Sequence, residues 1–183
     1  MLSKTIVCIT GMPGAGKSTI VSKLEEIGFT KFTLGDGIRA EAKRRNIMPS
    51  AKNLGKLMLE VRKKNGPGAV AELIKDSIQE SIHDVIIIDG VRSIAEIDVL
   101  KKIGDVKILA IQSSPETRFN FLSSRGRSDD PKTKENFEER DNREIDVGLD
   151  KSIEIADMTI TNYNLTIDEL VESAKTIIES WVN

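Results

Sequence analysis

A lysine and a serine placed directly behind a run of glycines are the residues best arranged for chemistry on phosphate. Gly11-Met12-Pro13-Gly14-Ala15-Gly16-Lys17-Ser18-Thr19 has the spacing G-x-x-x-x-G-K-[ST]. Glycines let the backbone turn tightly, so successive N–H groups converge on an anion at the positive end of a helix. Lys17 can then reach the β- and γ-phosphates of a nucleoside triphosphate, and the Ser18 hydroxyl can ligate Mg²⁺. The stretch from Gly11 to Thr19 is therefore expected to hold ATP with its Mg²⁺.

Other charges stand where a second anion would arrive. Asp89 ends the run Val85-Ile86-Ile87-Ile88-Asp89. In a parallel sheet the ligand crevice lies beyond the carboxyl ends of the strands, so a carboxylate there can hold the metal or its waters. A turn-forming Asp89-Gly90 pair is the plainer reading, and the apolar run before it favours the metal role. In Leu34-Gly35-Asp36-Gly37-Ile38-Arg39, Asp36 can cap the next helix and Arg39 can grip a phosphate bidentately. Arg92, in Asp89-Gly90-Val91-Arg92, also follows a strand. Arg118, Arg125, Arg127, Arg140 and Arg143 bracket a highly charged segment, 123–150. Each could be a surface charge, but phosphoryl transfer needs cations around the moving group, and their clustering suits it. Lys43, Arg44 and Arg45 read as a solvated face.

Positioning these groups takes strands before the loops and helices after them. Five apolar, β-branched runs read as buried strands: 5–9, 31–34, 85–88, 106–111 and 158–161. Helical patterns lie between them, beginning with Ile20, Val21, Leu24 and Ile27 behind the glycine loop, so a parallel sheet covered on both faces is expected. Two segments exceed a simple crossover. The first, 36–82, reads as three helices: 39–46, 50–65 and one after Gly66-Pro67-Gly68. The second is 123–150, with Gly126 and Pro131 marking a loop before a polar helix. Thr166 and Glu169 form a capping box ahead of the last amphipathic helix.

Composition narrows the classes. The 183 residues suit one domain, and a net charge of −2 gives no general pull toward nucleic acid or anionic membrane. One Trp, one Tyr and five Phe are too few for a base-stacking platform, so nucleic acid is not an expected partner. The single cysteine, Cys8, reads as a core residue that can form neither an internal disulfide nor a zinc site. No apolar run is long enough to span a bilayer, and a cytoplasmic protein is expected. His83, the only histidine, gives no triad, and no carboxylate pair suggests glycoside chemistry.

These motifs resemble the P-loop nucleoside monophosphate kinases, meaning adenylate kinase, cytidylate kinase and, in the ending, dephospho-coenzyme A kinase. The overall wording is most similar to an archaeal adenylate-kinase-related family. The resemblance implies an α/β P-loop NTPase domain of three layers around a five-stranded parallel sheet. Core 1–35, 83–122 and 151–183 would carry a helical acceptor-binding insertion, 36–82, and a short lid, 123–150. It implies transfer of the γ-phosphoryl of Mg-ATP to a small phosphate-bearing acceptor, most simply a nucleoside monophosphate. Gly35, Asp36 and Arg39, with Asp89, Gly90 and Arg92, would meet the acceptor. Lys17, Arg92, Arg125 and Arg127 would be catalytic, Arg118 would meet the nucleotide, and Asn162, in Ala156-Asp157-Met158-Thr159-Ile160-Thr161-Asn162, would lie near the donor adenine.

The chain departs from that pattern in reading D-G-V-R where adenylate kinases carry D-G-[FY]-P-R. It also places Glu96 where they have an adenine-reading glutamine. A carboxylate only accepts, which would suit guanine better, yet Ser93 and Glu96 also spell a capping box. Both readings stay open, and so does the base. Three rival functions remain as well: a kinase for dephospho-coenzyme A or another alcohol, with Asp36 as the carboxylate; a nucleotide-driven switch or assembly ATPase; and, disfavoured by the presence of Lys17, Ser18 and Asp89 together, a nucleotide-binding module without catalysis.

Overall fold

The computed structural model describes residues 4–126 and 130–182. The β-branched runs become five strands, β1 (Thr5–Thr10), β2 (Thr30–Thr33), β3 (Val85–Asp89), β4 (Asp105–Gln112) and β5 (Met158–Thr161). All pair in parallel, in the order β2-β3-β1-β4-β5. Successive side chains of a strand point to opposite faces, so each strand feeds two cores. Ile6, Cys8, Ile86 and Ile88 enter one, while Val7, Ile9, Ile87 and Leu109 enter the other.

The second of these cores is closed by α1 (Lys17–Glu26) and α9 (Ile167–Val182) through Ile20, Leu24, Leu170, Ala174 and Ile178. The first is closed by α2 (Leu34–Arg44), α3 (Ala51–Asn65), α4 (Ala69–Glu80) and α5 (Ile94–Lys101). This is the expected three-layer P-loop architecture. Three further helices, α6 (Pro115–Arg125), α7 (Lys134–Val147) and α8 (Leu149–Glu154), lie in the chain between β4 and β5. Burial pushes the Cys8 thiol pKa far up, as a core residue's should be. Among the described residues no helix is long and apolar enough to cross a membrane.

Boundaries differ from the sequence reading at two places. β2 stops at Thr33 and α2 starts at Leu34, not at Arg39, because Thr33 rather than Asp36 is the cap: its Oγ1 accepts the Asp36 N–H at 3.1 Å. Gly35 and Gly37 conceal the helix from a propensity reading. Gly37 is there for packing, since a Cβ would sit 2.8 Å from Ile74 Cγ2 on α4. The charged segment holds α7 together with the end of α6 and the start of α8. Arg127 lies outside the described residues. The capping box of α9 forms in both directions, Thr166 N–H to Glu169 Oε2 at 2.8 Å and Glu169 N–H to Thr166 Oγ1 at 3.2 Å.

Candidate phosphoryl-transfer site

The glycine loop is pressed between the central sheet and α6. Gly11 adopts φ 141°, and a Cβ there would lie 2.2 Å from the Ile111 carbonyl oxygen on β4. Gly14, at φ 84°, would place a Cβ 2.9 Å from the Arg118 carbonyl oxygen. Only glycine fits either position. Gly16 caps α1 without any side-chain acceptor, leaving the helix's positive end open to an anion. Asn162 Nδ2 donates to the Ala15 carbonyl at 3.0 Å and ties the end of β5 to the loop.

Lys17 folds back over this loop, its Nζ donating to Gly11 O at 2.5 Å and Met12 O at 3.0 Å. Burial lowers its pKa from an ordinary 10.5 to about 8, against the opposing pull of Asp89 and Glu144. Asp89 is set by the sheet register, which pairs it with Ile9 on β1, next to the start of the loop. Its pKa is raised by burial, with the Lys17 ammonium working against the rise. Ser18 and Asp89 line the same cleft, and a hydroxyl with a carboxylate is the hard-oxygen donor set that Mg²⁺ prefers. Among the described residues no group of three or more His, Cys, Asp or Glu could hold a metal ion. A Mg²⁺ ion here would therefore complete its shell with phosphate oxygens and water, the usual state of a nucleotide-borne ion.

The cleft, of about 510 Å³, runs from the glycine loop to α3. Its apolar walls include Leu54, Met58 and Val70, and Arg39, Arg62, Arg92, Arg125 and Arg140 line it. Each guanidinium meets a carboxylate. Arg39 pairs with Asp36 (Nε to Oδ1 3.1 Å), which Thr33 Oγ1 also holds at 2.6 Å. Arg62 pairs with Glu96 at 2.6 Å, Arg92 with Glu144 at 3.0 Å, and Arg125 with Asp130 (Nε to Oδ2 3.2 Å). Arg140 lies 3.8 Å from the same Asp130.

Lys17, Ser18, Gly35, Arg39, Asp89, Gly90, Arg92 and Arg125 are thus brought into one space. Gly16 and Thr19 line a smaller recess shared with Arg125. Met12 and Arg118 line a separate one with Gln112 and Tyr163. Arg118 is buried: it donates to Pro13 O at 3.1 Å, pairs with Asp141 at 2.9 and 2.5 Å, and stacks 4.8 Å above the Phe137 ring. Asp36 is exposed and does not line the cleft; it acts on Arg39. Glu96 is fully buried, with Oε1 on Arg62 and Oε2 accepting the Arg92 N–H at 2.8 Å, while Ser93 caps α5. Both its oxygens are engaged inside the protein, which favours the structural reading of Glu96. The sequence reading missed Arg62, Glu144 and Asp141. They meet their partners across 34, 52 and 23 positions, and no local pattern announces such pairs.

Comparison with known proteins bears on the family and the fold. Residues 10–138 match the AAA domain family. The chain is 38% identical to a UPF0200 protein of Hyperthermus butylicus, over 96% of this chain and 94% of that one. It belongs to the UPF0200 family. Other UPF0200 proteins include one from Thermococcus kodakarensis, 36% identical over 97% of this chain and 98% of its own. Solved structures share the fold at lower identity. TT1252 from Thermus thermophilus superposes with TM-score 0.69 at 14% identity, covering 97% of this chain and 98% of that one. Shikimate kinase from Acinetobacter baumannii, in complex with shikimate, gives 0.60 at 16%, covering 98% and 94%. This UPF0200 protein therefore has the P-loop kinase fold, with Lys17, Ser18 and Asp89 in its main cleft.

Proposed function

We propose that the protein transfers the γ-phosphoryl group of ATP to a small acceptor bearing its own anionic group, in the first instance a nucleoside monophosphate. One observation carries the reading: the glycine loop, Lys17, Ser18 and Asp89 share a single cleft with Arg39 and Arg92. An oxygen of the acceptor attacks the γ-phosphorus, and the bond from that phosphorus to the β–γ bridging oxygen breaks, leaving ADP with the electron pair. A phosphate oxygen is already ionised at neutral pH, so positioning and charge neutralisation supply the catalysis and no base is needed. Lys17 exchanges its two carbonyl partners for β- and γ-oxygens. Ser18 and Asp89 would hold Mg²⁺, which spreads the charge on those oxygens. Arg92 and Arg125, with Arg127, neutralise the moving group, while Gly35, Arg39 and Gly90 seat the acceptor and Asp36, outside the cleft, holds Arg39 in place. Arg118 and Asn162 belong to the nucleotide side. Residues 36–82 serve as the acceptor insertion and 123–150 as the lid.

A second reading, an alcohol acceptor, draws support from Glu144. Its carboxylate lines the cleft and lies close enough to raise the Lys17 pKa, so it could take a hydroxyl proton. A coupled assay of ATP consumption against nucleoside monophosphates, dephospho-coenzyme A and shikimate separates the two readings. Lys17→Ala should reduce transfer by several orders of magnitude. ATP use independent of every acceptor would instead favour a switch or assembly ATPase.

A further inference from the structure

Arg62 stands on the α3 wall of the cleft, in a polar setting otherwise built to be sealed. Its Nη2 donates to Glu96 Oε1 at 2.6 Å, and Glu96 is fully buried. The other carboxylate oxygen is taken by the Arg92 N–H at 2.8 Å. Glu96 therefore neutralises Arg62 through Nη2 alone and accepts nothing from the rest of the guanidinium. Nε and Nη1 of Arg62 are buried and have no hydrogen-bond partner. Buried donors are nearly always paired, and an unpaired one calls for an explanation. The cleft that Arg62 lines also holds the apolar side chains of Leu54, Met58 and Val70, and a second recess that Arg62 lines holds Ser93 and Asp146, neither of which accepts from Nε or Nη1.

We infer that Arg62 is the specificity-determining residue for the acceptor, and that it selects a group presenting hydrogen-bond acceptors only. The inference rests on the kinase reading above for the identity of the cleft's second ligand. A guanidinium has donors and no acceptor, so whatever lies against it must not itself donate. The O6/N7 edge of guanine meets that demand, and so does a carboxylate. Adenine sets its N6 amino group beside N7 and brings donor against donor. Glu96 is the positioning residue: it holds Arg62 and does not touch the ligand.

Calorimetric titration of the whole protein, saturated with a non-hydrolysable ATP analogue, tests this with GMP, AMP and shikimate. GMP or shikimate should bind at least about tenfold more tightly than AMP, the loss expected when one buried polar group goes unmatched. The GMP arm identifies a base edge and the shikimate arm a carboxylate. Arg62→Lys keeps a cation for Glu96 but loses the planar fork that presents the other donors, and should bring the three acceptors to within about twofold of one another while affinity for the ATP analogue is unchanged. If that variant unfolds, Glu96→Gln, which loosens the guanidinium, should reduce the same ratio. Equal binding of AMP, no binding of any of the three, or a ratio indifferent to both substitutions would overturn the assignment. Phosphoryl transfer without discrimination would sink Arg62 and leave the kinase standing; discrimination without transfer would do the reverse.

Discussion

Lys17 carries its charge under strain of burial rather than of geometry. An unfolded chain titrates this group near 10.5, whereas the folded one releases the proton at about pH 8. Between those values the unfolded state holds the extra proton, so this group makes stability rise with pH across the window. Below pH 8 the full cost of burying the ammonium, on the order of 3 kcal/mol, is present. A phosphate brought against Lys17 favours the charged form and raises the pKa again. ATP binding at about pH 9 should therefore take up a proton, measurable by calorimetry in buffers of different ionisation enthalpy. Lys17→Met should abolish that uptake. A proton count equal in the two proteins would remove Lys17 from the phosphate site. The place of this residue in the fold could be read from the sequence because its motif is local: loop, lysine and helix start lie within nine consecutive residues. Glu96 shows the opposite case. Its capping pattern was visible, but its partner Arg62 lies 34 positions away, and a single sequence offers nothing to join them.

Among the helices, α7 is the one built from charge. Thr133 caps its start, with Oγ1 accepting the Asn136 N–H at 3.2 Å, and Gly148 at φ 101° ends it. Phe137 is its buried residue, set edge-on to Phe119 with ring centroids 5.6 Å apart. Its charged face meets the rest of the protein through Arg140, 3.8 Å from Asp130, and through two carboxylates one turn apart, Asp141 on Arg118 and Glu144 on Arg92. They should answer differently to mutation. The Arg118–Asp141 pair is largely buried, so Asp141→Ala strands a buried cation and should cost about 3 kcal/mol, lowering Tm by roughly 6–12 °C. Glu144→Gln releases a cation that lines the cleft, so it should leave Tm nearly unchanged and tighten binding of inorganic phosphate several-fold. A melting scan and a phosphate titration check both, and a stable Asp141→Ala protein would mean that α7 is held elsewhere. The helix itself was foreseeable from its polar pattern. Its approach to the cleft was not, because a charged face turned to arginines reads the same as one turned to water.

The sheet was the most legible feature of the molecule. Strands buried on both faces read as unbroken β-branched runs, and all five were found to within a residue or so. The order β2-β3-β1-β4-β5 puts β1, the strand that feeds the glycine loop, in the centre with Asp89 beside it, where a ligand site at the carboxyl ends would lie. Arg39, Arg92 and Arg125 were legible as a group and Arg62 was not, and the carboxylates that meet them across the fold were not legible either. Arg39, Arg62, Arg92 and Arg125 each sit against a carboxylate, and Lys17 lies within the field of Asp89. With a net charge of −2 on the chain, the cleft draws anions weakly from a distance. Incoming phosphates succeed by exchanging partners with acids already in place, so ATP capture should proceed at an unassisted rate, around 10⁵–10⁷ M⁻¹s⁻¹, barely altered by added salt in stopped-flow. Traffic into this cleft would be governed by rearrangement at the doorway and hardly at all by long-range attraction.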